Sequence, residues 1–510
     1  MSISLKLGYS QKLDAVRLEV PSDIDIEQFH VETLSNQGML IFYESKEINK
    51  ENKRKWYFGL FDTDLKQVWL KFVPLSDKVE FISSKRKDGN VYFLFKNINR
   101  ERFEYGFYDI VTYNIKKQTF SRISGSIPLK SEIAGFDIIG NTACIALNLK
   151  KHETDLVFIN LNNGDVEPVH IDEGVQGYIE SLYADIKNNI FYVAIKQNSD
   201  RRYITDHLHT YSSKGKKLSE MKIQGTEALK YFREFVFVPQ MNKNLLIFGT
   251  YDIITGRTLS FKDIEEDNEA KSAGMFFLKI KDGKQESLVY HDFMGFDNIM
   301  SAIGPDNIST VKMPSDSLQK KHGKQLVSTT FHLNDPKVFE TSHSNYLFSV
   351  EAYKPYYRTE TRMDYDFYGR PYPYTYNVFS GYKFYDVIIA SISQEGKLLW
   401  NNDFEIDDIL TYSTRRNSVV FGDENYTTIA YVNNGYVVTQ TIEGPIDVDR
   451  SKMKIGTDLP QDRISQDENN HIIKWYNDYF LIYGYQKIKN RTLGNQATRT
   501  VFFANKIAYQ

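Results

Sequence analysis

The residues best suited to chemistry in this sequence are two histidines separated by one residue. His207 and His209, in the segment DHLHT, would project from the same face of a β-strand and could share a metal ion. No third histidine lies near them in the sequence, and the adjacent Asp206 would point to the opposite face. Two ligands do not close a metal site. We therefore interpret the pair as half-exposed strand histidines and predict no metal site.

Motifs with a fixed catalytic spacing are missing from the rest of the sequence. It has no G-x-S-x-G nucleophile motif, no P-loop and no dinucleotide-binding fingerprint. Cys144 is the only cysteine, which excludes intrachain disulfides and cysteine-based metal clusters. The sequence predicts no catalytic set and no cofactor. A hydrolase or lyase with carboxylates scattered over its inner strands would escape a search by spacing, so that alternative stays open.

The residue types best suited to binding are concentrated between Tyr353 and Asp386. The segment YKPYYRTETRMDYDFYGRPYPYTYNVFSGYKFYD holds ten tyrosines and three phenylalanines, interspersed with arginines. Tyrosine and arginine are enriched at protein interfaces because they combine large contact areas with hydrogen bonding. We predict a partner-binding surface here, formed by Tyr356, Tyr357, Arg358, Tyr365, Phe367, Tyr368, Arg370, Tyr372, Tyr374 and Tyr376.

Two other interpretations of the tyrosine-rich segment remain open. Aromatic rings also serve as stacking platforms for glycans and other ligands. Alternatively the segment is a long structural hairpin, with KPYYRTETRMDYDFY and YPYTYNVFSGYKFYDVII as its arms and YGRPYP as its turn, whose rings pack across the strands.

The elements that must position these residues are β-strands. Short β-branched and aromatic runs such as NVYFLFKN, DLVFINL and IFYVAIKQ are separated by Asn, Asp, Gly and Lys, and helix-period segments are almost missing. This pattern is typical of a mostly antiparallel all-β protein.

A strand, turn and strand pattern then repeats along the chain. Its first four turn positions lie about 50 residues apart, which leaves room for about four strands in each repeat. The equivalent turn positions are Lys66, Lys117, Gly164, Gly215, Gly283 and Gly396. Repeats of this kind are the blades of a β-propeller. We predict one propeller domain over residues 1–510 with seven or eight four-stranded blades, its ring closed by the N-terminal segment SISLKLGYS.

The longer intervals between the later turns predict additions to the ring. One is a large insertion at about residues 296–337, and the other is the tyrosine-rich long hairpin at 353–386. A plain propeller does not need the hairpin in order to close, and we therefore expect it to carry function.

Charge and hydropathy limit the classes of partner that the protein could bind. With a formal net charge of -3, the protein does not have the wide positive field of a duplex nucleic-acid binder, so we predict no nucleic-acid partner. No run of 18 apolar residues is present, so we expect no direct membrane span. The first twenty residues do not have the pattern of a signal peptide. That observation leaves both the periplasm and the cytoplasm possible.

The segment from Glu351 to Ile406, chiefly YGRPYPYTY and GYKFYDVII, resembles the Plug subunits of the type 9 secretion system translocon. The resemblance covers only about sixty residues of the chain. It implies a non-enzymatic, periplasmic, propeller-like protein that seals a large outer-membrane β-barrel channel. On this basis we expect a scaffold with a protein partner, and the alternatives are an exported glycan- or peptide-binding propeller and a propeller hydrolase or lyase.

Overall fold

The computed structural model describes most of the chain. The described residues are 16–22, 29–48, 50–51, 53–76, 78–98, 105–172, 174–198, 204–224, 230–253, 261, 271–297, 299, 308–311, 326–422, 426–459, 461–490, 492, 494 and 498–508. Within this part of the chain, no helix has the length and apolar character needed to cross a membrane.

The described residues form eight antiparallel sheets of four or five strands, here called blades 1 to 8 in chain order, and one two-stranded sheet. In blades 1 to 4 the strands pair in sequence order. The strands of blade 1 are β2 (His30–Thr33), β3 (Met39–Ile48), β4 (Lys53–Phe61) and β5 (Gln67–Ser76), and those of blade 2 are β6 (Val79–Lys87), β7 (Asn90–Asn97), β8 (Gly106–Asn114) and β9 (Thr119–Ile127). The strands of blade 3 are β10 (Glu132–Ile139), β11 (Thr142–Asn148), β12 (Thr154–Asn160) and β13 (Val166–His170), and those of blade 4 are β14 (Gln176–Asp185), β15 (Ile190–Asn198), β16 (Thr205–Ser212) and β17 (Lys217–Lys222).

Blades 5 to 8 follow the same plan with additions. Blade 5 contains β18 (Lys230–Pro239), β19 (Leu245–Ile253), β21 (Gly274–Lys281) and β22 (Lys284–Asp292), and blade 6 contains β25 (Phe331–Glu340), β26 (Tyr346–Tyr365), β27 (Pro371–Ile392) and β28 (Leu398–Thr411), with the short β20 (Lys271–Ser272) beside β25. Blade 7 contains β29 (Ser418–Gly422), β30 (Thr427–Asn433), β31 (Tyr436–Glu443) and β32 (Ile446–Lys454), and blade 8 contains β33 (Arg463–Lys474), β34 (Tyr479–Lys489), β35 (Thr498–Ala508) and β1 (Val16–Pro21). A separate hairpin pairs β23 (Ile308–Val311) with β24 (Leu326–Thr329).

The core shows that the sheets form a closed ring. Eight apolar clusters each draw their side chains from two consecutive blades, and the last one joins blade 8 to blade 1. Contacts between aromatic rings mark several of these interfaces: the centroids of Phe42 and Phe93 lie 4.9 Å apart, edge to face, between blades 1 and 2, and those of Phe421 and Phe480 lie 4.8 Å apart between blades 7 and 8. The chain is therefore an eight-bladed β-propeller, which confirms the predicted fold.

Position in the blade explains the strand sequences. The second strand of a blade is covered on both faces, so NVYFLFKN in β7 is buried at all but its first residue. The fourth strand is the outer edge, and β32 is exposed along almost its whole length. The first strands therefore lie innermost, around the axis of the ring.

The predicted turns are confirmed. All six equivalent positions lie between the third and fourth strands of a blade. The four glycines among them have positive φ angles of 72–84°, which L side chains rarely adopt. At Gly396 a Cβ atom would also collide with the Phe277 ring of blade 5, so glycine allows both the turn and the close approach of two blades.

The ring is closed by an N-terminal strand, as predicted, but by a different segment. Residues Val16–Pro21 pair antiparallel with β35, because Val16, Leu18 and Val20 form an apolar face that packs on the cluster between blades 8 and 1. The predicted SISLKLGYS lies outside the described residues.

The antiparallel order gives the propeller two unlike ends. The connections between blades and the loops between second and third strands emerge at one end, here called the upper end. The longest connections of blades 5 and 6 all emerge there: the loop between β19 and β21, the segment that holds β23 and β24, and the loop between β26 and β27. Part of the predicted insertion at 296–337 belongs to β25, which begins at Phe331.

Candidate functional site

The tyrosine-rich segment forms a hairpin that projects from the upper end of blade 6. Strands β26 and β27 contain 20 and 22 residues, whereas β25, which pairs with β26, contains 10 and β28, which pairs with β27, contains 14. Pairing with β25 extends only to Tyr353, and pairing with β28 only to Tyr382. Beyond these points, nine residue pairs from Tyr357–Phe379 to Tyr365–Pro371 connect β26 and β27 alone among the described strands. At about 3.3 Å per residue, this two-stranded extension, the projecting hairpin, reaches about 30 Å from the blade.

The tip of the projecting hairpin is a capped turn. The carboxylate of Asp366 accepts hydrogen bonds from the backbone nitrogens of Tyr368 and Arg370 at 2.9 and 2.8 Å. Gly369 occupies the left-handed region with φ 75°. The turn thus lies at Asp366–Arg370 and begins before the predicted YGRPYP, because the aspartate side chain mimics a backbone turn. Phe367 is 97% exposed and Tyr368 is 80% exposed at this tip.

One face of the projecting hairpin, the charged face, sets alternating charges against tyrosines. Its residue pairs are Arg358–Val378, Glu360–Tyr376, Arg362–Tyr374 and Asp364–Tyr372. The rings of Tyr374 and Tyr376 are nearly parallel, with centroids 5.9 Å apart, and the Arg362 guanidinium lies 5.5 and 5.7 Å from them. The Tyr376 hydroxyl donates to Glu360, which also pairs with Arg358 at 2.6 Å. These contacts hold the rings in fixed orientations while they remain open to solvent.

The opposite face, the aromatic–threonine face, is less charged. Tyr357 packs on Phe379 at its base with centroids 5.6 Å apart, followed by threonine pairs and then Met363 and Tyr365 near the tip. Met363 and Tyr365 are both exposed. Apolar side chains on an extension that covers no core are typical of a surface that binds a partner.

The ten predicted binding residues share one hairpin but not one face. Tyr357 and Tyr365 lie on the aromatic–threonine face, while Phe367, Tyr368 and Arg370 lie in the turn. Arg358, Tyr372, Tyr374 and Tyr376 lie on the charged face. Tyr356 is half-buried at a bulge at the base, with the Lys383 ammonium 4.4 Å from its ring centroid.

The alternative interpretation, that the aromatic rings of the segment pack to stabilise the fold, holds for the base of the hairpin. There Tyr353 and Tyr382 pack on the apolar cluster between blades 6 and 7, and Phe384 is fully buried in it. The rings therefore divide at about Tyr356: those below it stabilise the propeller, and those above it are available to a ligand.

A second group of functional side chains lies around the predicted histidine pair. His207 and His209 lie on one face of β16, as expected, but both are buried and not half-exposed. Asp206 points to the other face, where it pairs with Lys196 at 2.5 Å. Glu220, which sequence reasoning missed, lies directly across from His209 on β17. The three residues present ligand atoms within 4.8 Å of one another. Burial lowers the pKa of His209 to about 4 and also lowers the pKa of His207, so both rings are neutral at pH 7.

A third group of carboxylates lies on the axial wall of the ring. The innermost strands of blades 4, 5 and 6 each contain a β-bulge, and the bulges carry Glu180, Glu234 and Asp335. The corresponding bulges of blades 2 and 3 carry Ile82 and Ala134. These three carboxylates, here called the acidic arc, lie at the same level of adjacent inner strands. Two cations accompany them, because the bulge of blade 5 also carries Arg233 and Lys337 pairs with Asp335 at 2.7 Å.

Burial of the acidic arc favours the neutral, protonated form of its carboxyl groups. Burial raises the pKa of Glu180 to about 7, and the charge on Lys196, 3.8 Å away, only partly opposes this effect. Burial also raises the pKa of Glu234 to about 7, with a further contribution from Asp335. Although the side chain of Glu234 is accessible to water, its position in the channel surrounds it with protein. Carboxylates with such pKa values can act as proton donors near neutral pH.

Comparison with known proteins gives no family for this chain, since neither the protein-family models nor the curated proteins contain a match. Several solved structures are similar in fold. The polysaccharide lyase Uly1 matches over 95% of this chain and 100% of its own, at 11% identity and a TM-score of 0.35. The β-propeller domain of the Trilobed protease from Pyrococcus furiosus matches over 85% of this chain and 98% of its own, at 8% identity and a TM-score of 0.34. A prolyl endopeptidase matches over 91% of this chain and 54% of its own, at 8% identity and a TM-score of 0.37. Similarity this remote assigns neither an activity nor a ligand, and the propeller architecture follows from the eight sheets themselves.

Proposed function

We propose that this protein is a non-enzymatic binding propeller that docks on a partner protein through the projecting hairpin. The partner that fits the sequence resemblance is a large outer-membrane β-barrel channel for protein secretion, which would place the protein in the periplasm. The observation that carries the proposal is the nine-pair extension itself, because it lies beyond the blade and exposes aromatic and arginine side chains.

The composition of the projecting hairpin supports a binding role. Burying an exposed aromatic side chain such as Phe367 contributes about 1.5–3 kcal/mol to association. Tyrosine and arginine dominate the residues whose truncation weakens protein interfaces most. The charged face and its ring contacts hold several of these side chains in place, which reduces the entropy lost on binding.

The shape of the hairpin supports a barrel as the partner. An extension of about 30 Å is comparable to the height of an outer-membrane barrel, and the largest barrels have lumens wide enough to contain a plug. The hairpin can enter such a lumen while the ring of blades stays outside. Exposed rings then contact the inner wall of the barrel.

A pull-down from native outer membranes tests this proposal. The tagged wild-type chain should recover a large barrel protein, and replacing Tyr368, Arg370 and Tyr372 by alanine should reduce recovery at least tenfold. As a matched control, Tyr105→Ala with Tyr426→Ala removes two exposed tyrosines from blades 2 and 7 and should leave recovery unchanged. Circular dichroism and the Tm of each variant confirm that the propeller is folded.

Recovery of the wild-type chain without a barrel protein would overturn the proposed partner. Equal recovery by the triple-alanine variant would overturn the proposed surface. Unfolding of the triple-alanine variant would favour a structural role for these rings.

The acidic arc favours a second candidate function, a hydrolase or lyase that acts in the channel. In that case wild-type protein should turn over a polysaccharide or peptide substrate, and Glu180→Gln should abolish turnover without unfolding the chain. The two candidates separate cleanly, because loss of the projecting hairpin would leave such an activity intact.

A further inference from the structure

We propose that His207, His209 and Glu220 form a binding site for a divalent transition metal of the zinc class, with Asp172 as a supporting carboxylate. This site is independent of the projecting hairpin and of the proposed docking function.

The β-sheet register places the three ligands together. His207 and His209 are two residues apart on β16, so both project from the same face. Glu220 is the direct cross-strand neighbour of His209 on β17 and projects from that face too. The site is therefore built on two paired strands of blade 4, a rigid arrangement for metal ligands.

The histidines have buried nitrogens that no protein group satisfies. His207 Nδ1 and His209 Nε2 are both buried and make no hydrogen bond of good geometry. Both nitrogens face Glu220 Oε1, at 3.4 and 3.8 Å respectively. Buried polar atoms without a partner are costly, and a cation shared with the carboxylate oxygen that both nitrogens face would satisfy them.

The other nitrogen of each ring is engaged, which fixes its orientation. His207 Nε2 lies 2.9 Å from Thr205 Oγ1, and His209 Nδ1 lies 3.4 Å from the Tyr211 hydroxyl. Metal-binding histidines are typically oriented in this way by a second hydrogen bond. With these contacts, the free lone pairs of both rings point toward Glu220.

Ion pairs with Lys217 fix the positions of both carboxylates. Lys217 Nζ lies 2.7 Å from Glu220 Oε2 and 2.7 Å from Asp172 Oδ1. The other oxygen of each carboxylate faces His209 Nε2. Asp172 Oδ2 lies 3.6 Å from that nitrogen and accepts a hydrogen bond from Gln197 at 2.6 Å. Lys222, across from His207 on β17, adds a second ammonium, so two carboxylates and two ammonium groups leave the surroundings of the site close to neutral.

The distances suit a small metal ion. In a tetrahedral site with bonds of 2.0–2.1 Å, neighbouring ligand atoms lie about 3.3 Å apart. The gaps from Glu220 Oε1 to the two nitrogens are 3.4 and 3.8 Å, and all three ligand atoms lie within 4.8 Å of one another, so the side chains must draw closer together to bind the ion. Two imidazoles and one carboxylate favour zinc, cobalt, nickel or copper over calcium and magnesium. Three protein ligands leave a fourth position for water or for Asp172.

Isothermal titration of tag-free protein with Zn²⁺, after dialysis against a chelator, tests the site. We expect one ion per chain at micromolar affinity or tighter, and affinity at least tenfold weaker for His209→Ala and for Glu220→Gln. His343→Ala, which removes an exposed histidine from blade 6, is the control and should bind as the wild type does.

Titration with Co²⁺ provides a second readout, with circular dichroism showing that each variant is folded. The visible absorption of four-coordinate cobalt should appear in the wild type and in His343→Ala, and should be lost in Glu220→Gln. Absence of saturable zinc binding by the wild type would overturn the proposal. Zinc binding by Glu220→Gln equal to that of the wild type would also overturn it. So would a cobalt spectrum retained by Glu220→Gln.

Discussion

At the scale of single residues, charge and burial decide which side chains have an unusual chemistry. Glu180 shows this best, because it lies in the bulge of β14 and its carboxyl has a pKa raised to about 7 by burial. Lys196 already pairs with Asp206 at 2.5 Å, so it only partly compensates Glu180. Ionised Glu180 therefore destabilises the folded propeller.

The raised pKa predicts a pH-dependent effect of Glu180→Gln. The folded-state pKa is higher than the unfolded value of 4.5, so the stabilising contribution of this group is complete below pH 4.5 and is lost as the pH rises through 7. The amide cannot ionise. The variant should therefore be more stable than the wild type at pH 8, by at most about 3 kcal/mol, and the gain should be much smaller at pH 5.

Urea unfolding of both proteins at pH 5 and pH 8 measures this difference. Glu167→Gln, on the exposed outer strand β13, is the control and should change stability equally at both pH values. A gain for Glu180→Gln that is the same at pH 5 and pH 8 would contradict the assigned environment.

The sequence identified some of the functional residues but not their neighbours. His207 and His209 were visible from their spacing, yet Glu220 needed the register of the β16–β17 hairpin. The turn at Gly215 alone does not give that register, because a β-bulge at Leu218 shifts the pairing by one residue and so places Glu220 opposite His209. Asp172 reaches His209, and Glu180 approaches Glu234, only through the packing of the folded blades, which no local sequence pattern marks.

At the scale of elements, the division of β26 and β27 into two parts explains the tyrosine excess. The lower part is covered by β25 and β28, whereas the upper part pairs only with itself among the described residues. Blade 6 is joined to blade 7 by Glu351, in the lower part of β26, which accepts hydrogen bonds from the backbone nitrogens of Asn417 and Ser418. The propeller therefore does not depend on the projecting hairpin.

Removing the projecting hairpin tests this division. Replacing residues 358–378 by Asn-Gly joins Tyr357 to Phe379, which are already cross-strand neighbours, through a turn suited to a two-residue hairpin. We expect a folded protein whose Tm changes by only a few degrees, since no residue of the apolar clusters is removed. Recovery of the barrel partner should be lost. Failure of this variant to fold, judged by circular dichroism, would show that the extension has a structural role.

The long hairpin was predictable because its arms alternate aromatic and polar residues around a Gly-containing turn. The exact turn was not, since Asp366 competes as a capping residue two positions before YGRPYP. The sequence also left open which rings pack on the propeller. That distinction depends on where β25 and β28 end, and their lengths are set by the neighbouring blades.

At the scale of the whole molecule, the propeller is a symmetric ring with an asymmetric upper end. The repeat of turns predicted the blades, and the need to remove free edges predicted closure by an N-terminal strand. The closing segment was misplaced, because the apolar alternation of Val16, Leu18 and Val20 is shorter than the one in SISLKLGYS. The long connections of blades 5 and 6 lie on one side of the ring, and we expect the binding surface on that side.

This asymmetry leads to the most direct test of the docking proposal, a photo-crosslinking amino acid placed at Phe367 or at Tyr105 in cells. Both positions are exposed at the upper end, but Phe367 lies at the hairpin tip of blade 6 and Tyr105 lies on blade 2, on the opposite side of the eight-bladed ring. We predict a crosslink to an outer-membrane barrel protein from position 367 and none from position 105. Equal crosslinking from both positions, or none from position 367, would contradict the proposal that the projecting hairpin binds the partner.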